Sequence, residues 1–339
     1  MRIALVTDAW FPQTNGVVRT LSTVAEELGR QGHVVTPVTP DRFRSIPCPT
    51  YPEIRLAVAP WPRIWTAIEE ARPEAVHIAT EGPLGLAARA LCLRRGWPFT
   101  TSFHTKFPEY VQARFAVPPG LSYAVVRRFH RPAARVMVAT PTVQAELAAR
   151  GFTNLAPWTR GVDTTLFHPG PKDLFPWPRP VFLYVGRVAV EKNIEAFLGL
   201  DLPGTKAVVG DGPQLPELRR RYPATNFLGA KFGAELAAHY RAADVFVFPS
   251  RTDTFGLVLL EALASGVPVA AFPVPGPLDV VGGSPAGVLD EDLGRAALAA
   301  LAIPPALCRA HAERFSWSAC ARMFLENLAP FGEATRRAA

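Results

Sequence analysis

Three consecutive segments decide the fold class: ADVFVFPS (243–250), RTDTFG (251–256) and LVLLEALASG (257–266). The first is an apolar run rich in Val and Phe, which predicts a buried strand. A polar loop follows, and then strong helix formers predict a helix that Gly266 ends. The next segment, VPVAAF (267–272), predicts another strand, so this part of the chain is a βαβ unit.

The polar loop and the helix of this unit carry a candidate anion site. Thr252, Asp253 and Thr254 occupy the expected N-cap positions, and Gly256 allows a ligand to approach backbone N–H groups. Glu261 is the only charged residue of the helix and is expected on the same side as Asp253. One interpretation is a capping Asp and a structural Glu. The other is a nucleotide-sugar site, with N–H groups for a diphosphate and carboxylates for sugar hydroxyls.

The strand–loop–helix pattern recurs through the rest of the chain. The N-terminal half alternates predicted strands with helices, beginning with a strand at 3–7, a helix at about 17–29 and a strand at 34–38. The proline-rich stretch 168–180 is the clearest linker, because its prolines fit neither helices nor central strands. The pattern restarts at 181–185. The sequence therefore predicts two Rossmann-like domains, 1–168 and 169–315, with an amphipathic segment of about 316–339 returning to the first.

Composition narrows the function classes. The chain has 339 residues and a net charge of +7, which favours an anionic partner: a nucleotide, a phospholipid surface or nucleic acid. No nucleic-acid-binding motif accompanies the charge, so we expect no nucleic-acid partner. The four cysteines lack metal-ligand spacing and are expected to be reduced core thiols. Asp8 comes too early for a signal peptide, and no apolar run is long enough to span a bilayer.

Three further groups of residues follow predicted strands. Arg187 and Lys192 are five apart in a loop and can clamp a diphosphate, although two solvated cations would give the same pattern. Asn15 and Gly16 suit a tight turn at the carboxyl edge of the first sheet, where ligands bind in such folds. His104 ends a strand at the same edge. It is either a sugar contact or a structural histidine.

A basic segment interleaves arginines with aromatic residues. Its arginines are 114, 127, 128 and 131, and its aromatic residues include Phe107, Tyr110, Phe115 and Tyr123. The pattern fits an anionic membrane surface, and it also fits an ordinary solvated helix face.

Taken together and in this order, the motifs resemble those of retaining glycosyltransferases of family GT4, which have the GT-B fold. The resemblance rests on five motifs that span essentially the whole chain: NG (15–16), RGVD (160–163), Arg187 with Lys192, GDGP (210–213), and Asp253 to Glu261. It implies an α/β GT-B protein, with two Rossmann-like domains facing across a cleft and a C-terminal helix that crosses back to the first domain.

The resemblance also implies the site. Arg187 and Lys192 would hold the diphosphate of the donor, Glu261 the ribose hydroxyls and Asp253 the transferred sugar. The backbone N–H groups of Thr254, Phe255, Gly256 and Leu257 would complete the anion site. Gly16 would approach the phosphates, and His104 would lie beside the sugar. Asp253, His104, Arg187 and Lys192 are then the catalytic residues, no metal or other cofactor is required, and the leaving phosphate takes up the acceptor's proton.

One departure concerns the sugar. The family motif usually begins with Glu, and this chain has Asp253, one methylene shorter. The TDTFG form and the run FHTKFPEY (103–110) are similar to a subgroup of mannosyl-, glucosyl- and sulfoquinovosyltransferases that act on lipids.

The sequence therefore predicts a cytoplasmic, peripherally membrane-associated enzyme that moves a hexose from a UDP- or GDP-sugar to a lipid, such as diacylglycerol or a glycolipid. Alternatives are a nucleotide-sugar epimerase or hydrolase using Asp8 and Glu81, a transferase for a soluble or polysaccharide acceptor, and a solute-binding protein.

Overall fold

The computed structural model of the chain describes residues 1–48, 51–59, 61–109, 112 and 118–332. These residues form two compact units. The first comprises Met1–Thr159 together with Trp317–Ala339, and the second comprises Arg160–Ser316.

The first unit is built on a parallel sheet with strand order β2-β1-β5-β6-β7-β8. Its strands are β1 Arg2–Val6, β2 Val34–Val38, β5 Ala75–Ile78, β6 Phe99–Phe103, β7 Arg135–Val138 and β8 Leu155–Pro157. A separate antiparallel hairpin pairs β3 Ser45–Cys48 with β4 Tyr51–Ala57. The helices are α1 Gly16–Arg30, α2 Trp61–Glu69, α3 Pro83–Arg95, α4 Pro119–His130, α5 Pro141–Ala149 and, from the C-terminal end of the chain, Trp317–Asn327.

The C-terminal helix Trp317–Asn327 packs on the first unit, as predicted. Cys320 and Phe324 are buried in the same core as Leu21 of α1 and Trp158. The indole Nε1 of Trp158 also donates to the backbone oxygen of Cys320 at 3.1 Å. The apolar face of the helix thus closes one side of the first sheet.

The second unit repeats the plan, with a parallel sheet of order β11-β10-β9-β12-β13-β14. Its strands are β9 Val181–Val185, β10 Thr205–Val209, β11 Asn226–Phe227, β12 Val245–Phe248, β13 Val269–Ala271 and β14 Gly287–Leu289. Its helices are α6 Glu195–Leu198, α7 Leu215–Arg221, α8 Gly233–Ala242, α9 Leu257–Ala264, α10 Pro277–Val280, α11 Leu293–Ala300 and α12 Pro305–Ala312; the C-terminal helix of the first unit is then α13. Strands β9 and β12 are buried along their whole length, as their unbroken apolar runs predict.

The boundary between the units lies earlier than the linker at 168–180 suggested. Residues 160–168 belong to the second unit because they are bonded to it. Val162 N–H donates to the oxygen of Phe315 at 3.1 Å. Arg309 Nη1 donates to the oxygens of Thr164 and Phe167, at 3.0 and 2.8 Å. The prolines therefore mark an irregular surface segment within the unit.

Cys92, Cys308 and Cys320 are buried thiols outside any disulfide of the described residues, as expected, whereas Cys48 is half-buried on the hairpin. Among the described residues, no single helix has the length and apolar character needed to cross a bilayer; one bent pair, Leu293–Ala300 with Pro305–Asn327, passes by length and composition.

Candidate active site

Two loops at the carboxyl edge of the second sheet are tied to each other. One follows β9 and the other follows β12, and these strands are neighbours in the sheet. The Thr252 hydroxyl donates to the oxygen of Glu191 at 3.2 Å, and Asn193 Nδ2 donates to the oxygen of Pro249 at 3.0 Å. The loops that carry Arg187, Lys192 and Asp253 are therefore held together by the fold.

Lys192 and Asp253 form an ion pair across these loops. Lys192 Nζ lies 2.5 Å from Asp253 Oδ1, and the two side chains are 20% and 18% exposed. The second carboxylate oxygen, Oδ2, is buried, and no donor within the described part of the chain reaches it. A buried oxygen without a donor costs about 1–3 kcal/mol, so a ligand hydroxyl placed there would be favoured.

Arg187 lies on the loop that follows β9, with Nε 4.0 Å from Glu191 Oε1. The side chain is 31% exposed, so the guanidinium remains accessible. The Tyr184 hydroxyl donates to the backbone oxygen of Arg187 at 2.7 Å. Burial raises the pKa of Tyr184 well above its usual value, so the phenol stays protonated and keeps this donor.

The GDGP turn is hydrogen-bonded to the loop that carries Arg187. Val188 N–H donates to the oxygen of Asp211 at 2.9 Å, and Gln214 N–H donates to the oxygen of Val188 at 3.1 Å. Gly210 has φ +146° and lies so close to Gly186 that a Cβ would overlap its backbone oxygen. Glycine at position 210 is therefore required by the close approach of two backbones.

The N-terminus of α9 differs from the prediction. Its cap is Gly256, in the left-handed region at φ +84°, and not Thr252, Asp253 or Thr254. Asp253 precedes the helix, so the expectation that Asp253 and Glu261 share one side of it is wrong. The first turn of α9 holds no acidic residue. The first N–H groups of α9 receive no side-chain cap from Gly256 and form a positive helix end.

Glu261 is buried in the middle of α9, at 6% exposure. Its Oε2 accepts a hydrogen bond of 3.0 Å from the Tyr240 hydroxyl of α8. Tyr240 is itself fully buried against Phe167 and Phe246. A buried carboxylate without a donor is costly, and Tyr240 supplies a donor to Glu261.

One residue near this site was missed. Gly276, at φ +89°, follows β13, and a Cβ there would lie 3.1 Å from the oxygens of both Asp253 and Phe255. It lets the loop after β13 pack directly on the Asp253 loop. Only the order of strands in the sheet could have indicated this contact, because it joins segments some twenty residues apart.

The first unit holds Gly16 and His104. Asn15 is the N-cap of α1, and its Oδ1 accepts from the N–H groups of Val17 and Val18 at 3.0 Å each. Gly16 is therefore the first residue of a helix and not part of a tight turn. His104 directly follows β6, and its ring packs edge-on against Trp158, with centroids 5.6 Å apart.

Two charged residues of the FHTKFPEY run, Lys106 and Glu109, have partners within the first unit. Lys106 is nearly buried and pairs with Glu146 of α5 at 2.7 Å. The Tyr123 hydroxyl donates to Glu109 Oε1 at 2.6 Å. These contacts therefore anchor the segment after β6, in which His104 lies. Tyr110 lies outside the described residues.

Asp8 and Glu81, the carboxylates of the epimerase alternative, are both engaged in structural contacts. Asp8 is buried, which raises its pKa, and it accepts from Leu84 N–H at 3.0 Å and the Thr80 hydroxyl at 2.8 Å. It thus caps the N-terminus of α3. Glu81 Oε1 lies 3.1 Å from Nε2 of the fully buried His130.

Part of the basic segment forms helix α4, which carries Tyr123, Arg127 and Arg128, and Arg131 directly follows it. Phe107 precedes the helix, and Tyr110, Arg114 and Phe115 lie outside the described residues. Arg127, Arg128 and Arg131 are exposed. The same helix exposes Leu121 and Val125, at 63% and 64%. Arg127 Nη1 donates to the oxygen of Arg150 at 2.6 Å, which fixes one of the three arginines.

Comparison with known proteins agrees with this architecture. Residues 14–166 match Glycosyltransferase Family 4, and residues 179–303 match Glycosyl transferases group 1. A GDP-mannose-dependent alpha-mannosyltransferase of Mycolicibacterium smegmatis is 32% identical, covering 95% of this chain and 92% of the relative. The chain belongs to glycosyltransferase family 4.

This family 4 glycosyltransferase is also similar to a further sequence relative and to a solved structure. An alpha-monoglucosyldiacylglycerol synthase of Streptococcus pneumoniae is 27% identical over 90% of this chain and 79% of the relative. The structure of a sucrose-phosphate synthase from Thermosynechococcus elongatus superposes with a TM-score of 0.75 at 23% identity, covering 96% of this chain and 97% of the other. The predicted GT-B fold class, with two Rossmann-like domains, is confirmed.

Proposed function

We propose that this glycosyltransferase moves a hexose from a UDP- or GDP-sugar to a lipid hydroxyl with retention of configuration. The observation that carries the proposal is the Lys192–Asp253 pair beside the N-terminus of α9. It places a cation, a carboxylate oxygen in need of a donor, and a positive helix end along one edge of a single sheet.

Each part of the donor has a chemical counterpart in this arrangement. Arg187 and Lys192 supply positive charge for the diphosphate, together with the N–H groups of 254–257. Asp253 Oδ2 accepts a hydroxyl of the transferred sugar. Glu261, held by Tyr240, accepts the ribose hydroxyls.

The charge that develops on the leaving diphosphate is stabilised by these groups, so we propose catalysis without a metal ion. The proton of the acceptor hydroxyl passes to the leaving phosphate, and no general base is assigned. Gly16 and His104, in the first unit, keep the roles that the resemblance implies, at the diphosphate and at the sugar.

The relatives support the choice of substrates. The mycobacterial relative is named for GDP-mannose and an alpha-mannosyl product, and the streptococcal relative for a glucosylated diacylglycerol. An alpha product formed from an alpha-linked nucleotide sugar retains its configuration. The exposed arginines and aliphatic side chains of α4 suit a cytoplasmic enzyme that binds the inner membrane surface peripherally.

The test is a transfer assay with GDP-mannose, UDP-glucose and UDP-galactose, each with diacylglycerol in vesicles, with a soluble sugar, and without acceptor. We expect one donor to give a glycosylated lipid of alpha configuration by NMR, at a rate that EDTA does not lower. Transfer only to soluble sugars, or epimerisation or hydrolysis without lipid product, would contradict the lipid acceptor.

A further inference from the structure

An open cavity of about 470 Å³ lies in the first unit, and none of the side chains described above is among its lining residues. Its volume is within the usual range of small-molecule sites, about 300–1,000 Å³. Its lining comes from the end of β4, the start of α2 and the start of α3: Ala57, Val58, Ala59, Trp61, Ile64 and Pro83.

The six lining residues that the structure describes are all apolar. Ala57 and Ile64 form a buried floor, whereas Val58 and Trp61 are 53% and 47% exposed. A sugar or a nucleotide needs hydrogen-bond partners, and these six side chains offer only the indole N–H of Trp61. A hydrocarbon chain needs none, and it would remove the exposed surfaces of Val58 and Trp61 from water.

The walls are held in place by the fold. Trp65, one turn beyond Trp61 on α2, donates from Nε1 to the oxygen of Ala87 at 2.9 Å, which joins α2 to α3. The guanidinium of Arg94 lies 5.7 Å from the centroid of the Trp65 ring. The cavity is thus formed between two helices that are fastened to each other.

The cavity also borders the carboxyl edge of the first sheet. Pro83 begins α3 immediately after Gly82, and a Cβ at Gly82 would meet the carboxyl group of Asp8, which follows β1. In α/β domains ligands bind at the carboxyl ends of the strands. A chain in this cavity would therefore leave its polar head at the edge where substrates bind.

Two exposed arginines flank the lining residues. The backbone oxygen of Arg44 accepts from Val58 N–H at 2.7 Å, and Arg63 follows Trp61 by two positions in α2. Exposed cations and an exposed Trp in the same part of the first unit suit the headgroup layer of an anionic bilayer, where Trp is enriched.

We propose that this cavity holds an acyl chain of the membrane lipid that accepts the sugar. The proposal rests on the lipid acceptor of the proposed function and adds the site that recognises its hydrocarbon. Together with Arg44 and Arg63, the cavity would let the enzyme draw the chain partly out of an anionic bilayer.

The test fills the cavity in the full-length protein with Ala59→Phe and removes its wall with Trp61→Ala. Leu93→Ser is the matched control, because Leu93 is an exposed apolar residue of α3, at 49%, that does not line the cavity. Calorimetric titration measures the binding of 1,2-dioctanoylglycerol, and a transfer assay compares dioctanoyl- with dibutyrylglycerol. Circular dichroism confirms that each variant is folded.

We expect both cavity variants to weaken dioctanoylglycerol binding at least tenfold and to abolish the preference for the longer chain, with Leu93→Ser unchanged. If the enzyme glycosylates diacylglycerol and Ala59→Phe and Trp61→Ala keep wild-type binding and preference, the cavity assignment is overturned while the lipid acceptor stands. If dioctanoylglycerol binds and the cavity variants abolish binding, but no lipid is glycosylated, only the acceptor role fails. A change confined to self-association, measured by light scattering, would identify a protein interface and overturn the proposal.

Discussion

Lys192 Nζ lies 2.5 Å from Asp253 Oδ1, and this contact joins the loop after β9 to the loop after β12. Both residues belong to the proposed donor site. In the proposed site, a diphosphate on Lys192 would share the ammonium group with Asp253, and Oδ2 of the same carboxylate would accept a sugar hydroxyl.

Lys192→Ala removes a charge-assisted contact to the leaving group, so we expect turnover to fall by at least about a hundredfold. Steady-state kinetics with the donor identified by the transfer assay provide the measurement. Lys172→Ala is the matched control, because Lys172 also pairs with an aspartate of the second unit, Asp244, at 3.0 Å. A Lys192 variant within a few-fold of wild type would remove this residue from the site.

Tyr240→Phe tests how Glu261 is held. Tyr240 is fully buried, and its hydroxyl donates to Glu261 Oε2 at 3.0 Å. A hydrogen bond to a charged group contributes about 1.5–3 kcal/mol. We therefore expect the KM for the donor to rise about tenfold or more, with a smaller change in kcat.

Nucleotide sugars with and without the ribose hydroxyls separate the proposed role of Tyr240, which is to orient Glu261, from a merely structural one. The penalty of Tyr240→Phe should shrink with a nucleotide sugar whose ribose lacks the hydroxyls that Glu261 accepts, because Glu261 then has no partner to orient. Tyr222→Phe, at the end of α7, is the matched control. Equal penalties with ribose and deoxyribose donors would show that Tyr240 acts only on the fold.

The strands at the centres of the sheets could be predicted from sequence. Both the central strand β9 and the edge strand β2 have the predicted bounds. Their apolar runs are bounded by residues that break regular structure, and buried parallel strands need no alternation. The β3–β4 hairpin and α2 were missed. The hairpin sequence contains Pro47 and Pro52, which argue against strands, and α2 begins within a proline-rich stretch.

The grouping of Arg187, Lys192 and Asp253 at one sheet edge could be predicted from sequence, but the local geometry around them could not. Arg187, Lys192 and Asp253 do lie on neighbouring loops of one edge. The cap of α9 was assigned to Thr252–Thr254 because these residue types favour that position, whereas a glycine in the left-handed region takes it. Tyr240 and Gly276 act through tertiary contacts, which no local pattern encodes.

Gly210→Ala tests the support of the Arg187 loop. A Cβ at this position would overlap the backbone oxygen of Gly186, and the residue has φ +146°. We expect a loss of at least about 2 kcal/mol in the free energy of unfolding, and a lower melting temperature. Donor affinity should fall as well, because the loop must shift.

Gly120→Ala provides the matched control for that substitution. Gly120 lies in the first turn of α4, and a Cβ there meets no atom within 4 Å. Alanine is the better helix former, so this variant should melt at or slightly above the wild-type temperature. If Gly210→Ala had the same melting temperature as Gly120→Ala, the loops that contain Gly210 and Gly186 would be able to move apart without a loss of stability.

The last prediction concerns the membrane contact proposed for α4 and for Arg131, which directly follows it. Arg127, Arg128 and Arg131 are exposed, and each basic residue near an anionic surface contributes about 1 kcal/mol to binding. Changing all three to Ser should weaken binding to vesicles containing phosphatidylserine by roughly a hundredfold, since about 1.4 kcal/mol is tenfold. Binding of GDP or UDP, followed by thermal shift, should be unchanged.

The matched control replaces three arginines of α7 by Ser: Arg219, Arg220 and Arg221. This variant loses the same net charge, and it should bind vesicles almost as well as the wild type. The double variant Leu121→Ser, Val125→Ser keeps the arginines and should also weaken vesicle binding if the apolar side chains insert. Sedimentation with vesicles at two salt concentrations provides the measurement, and equal binding of both arginine variants would locate the membrane contact elsewhere.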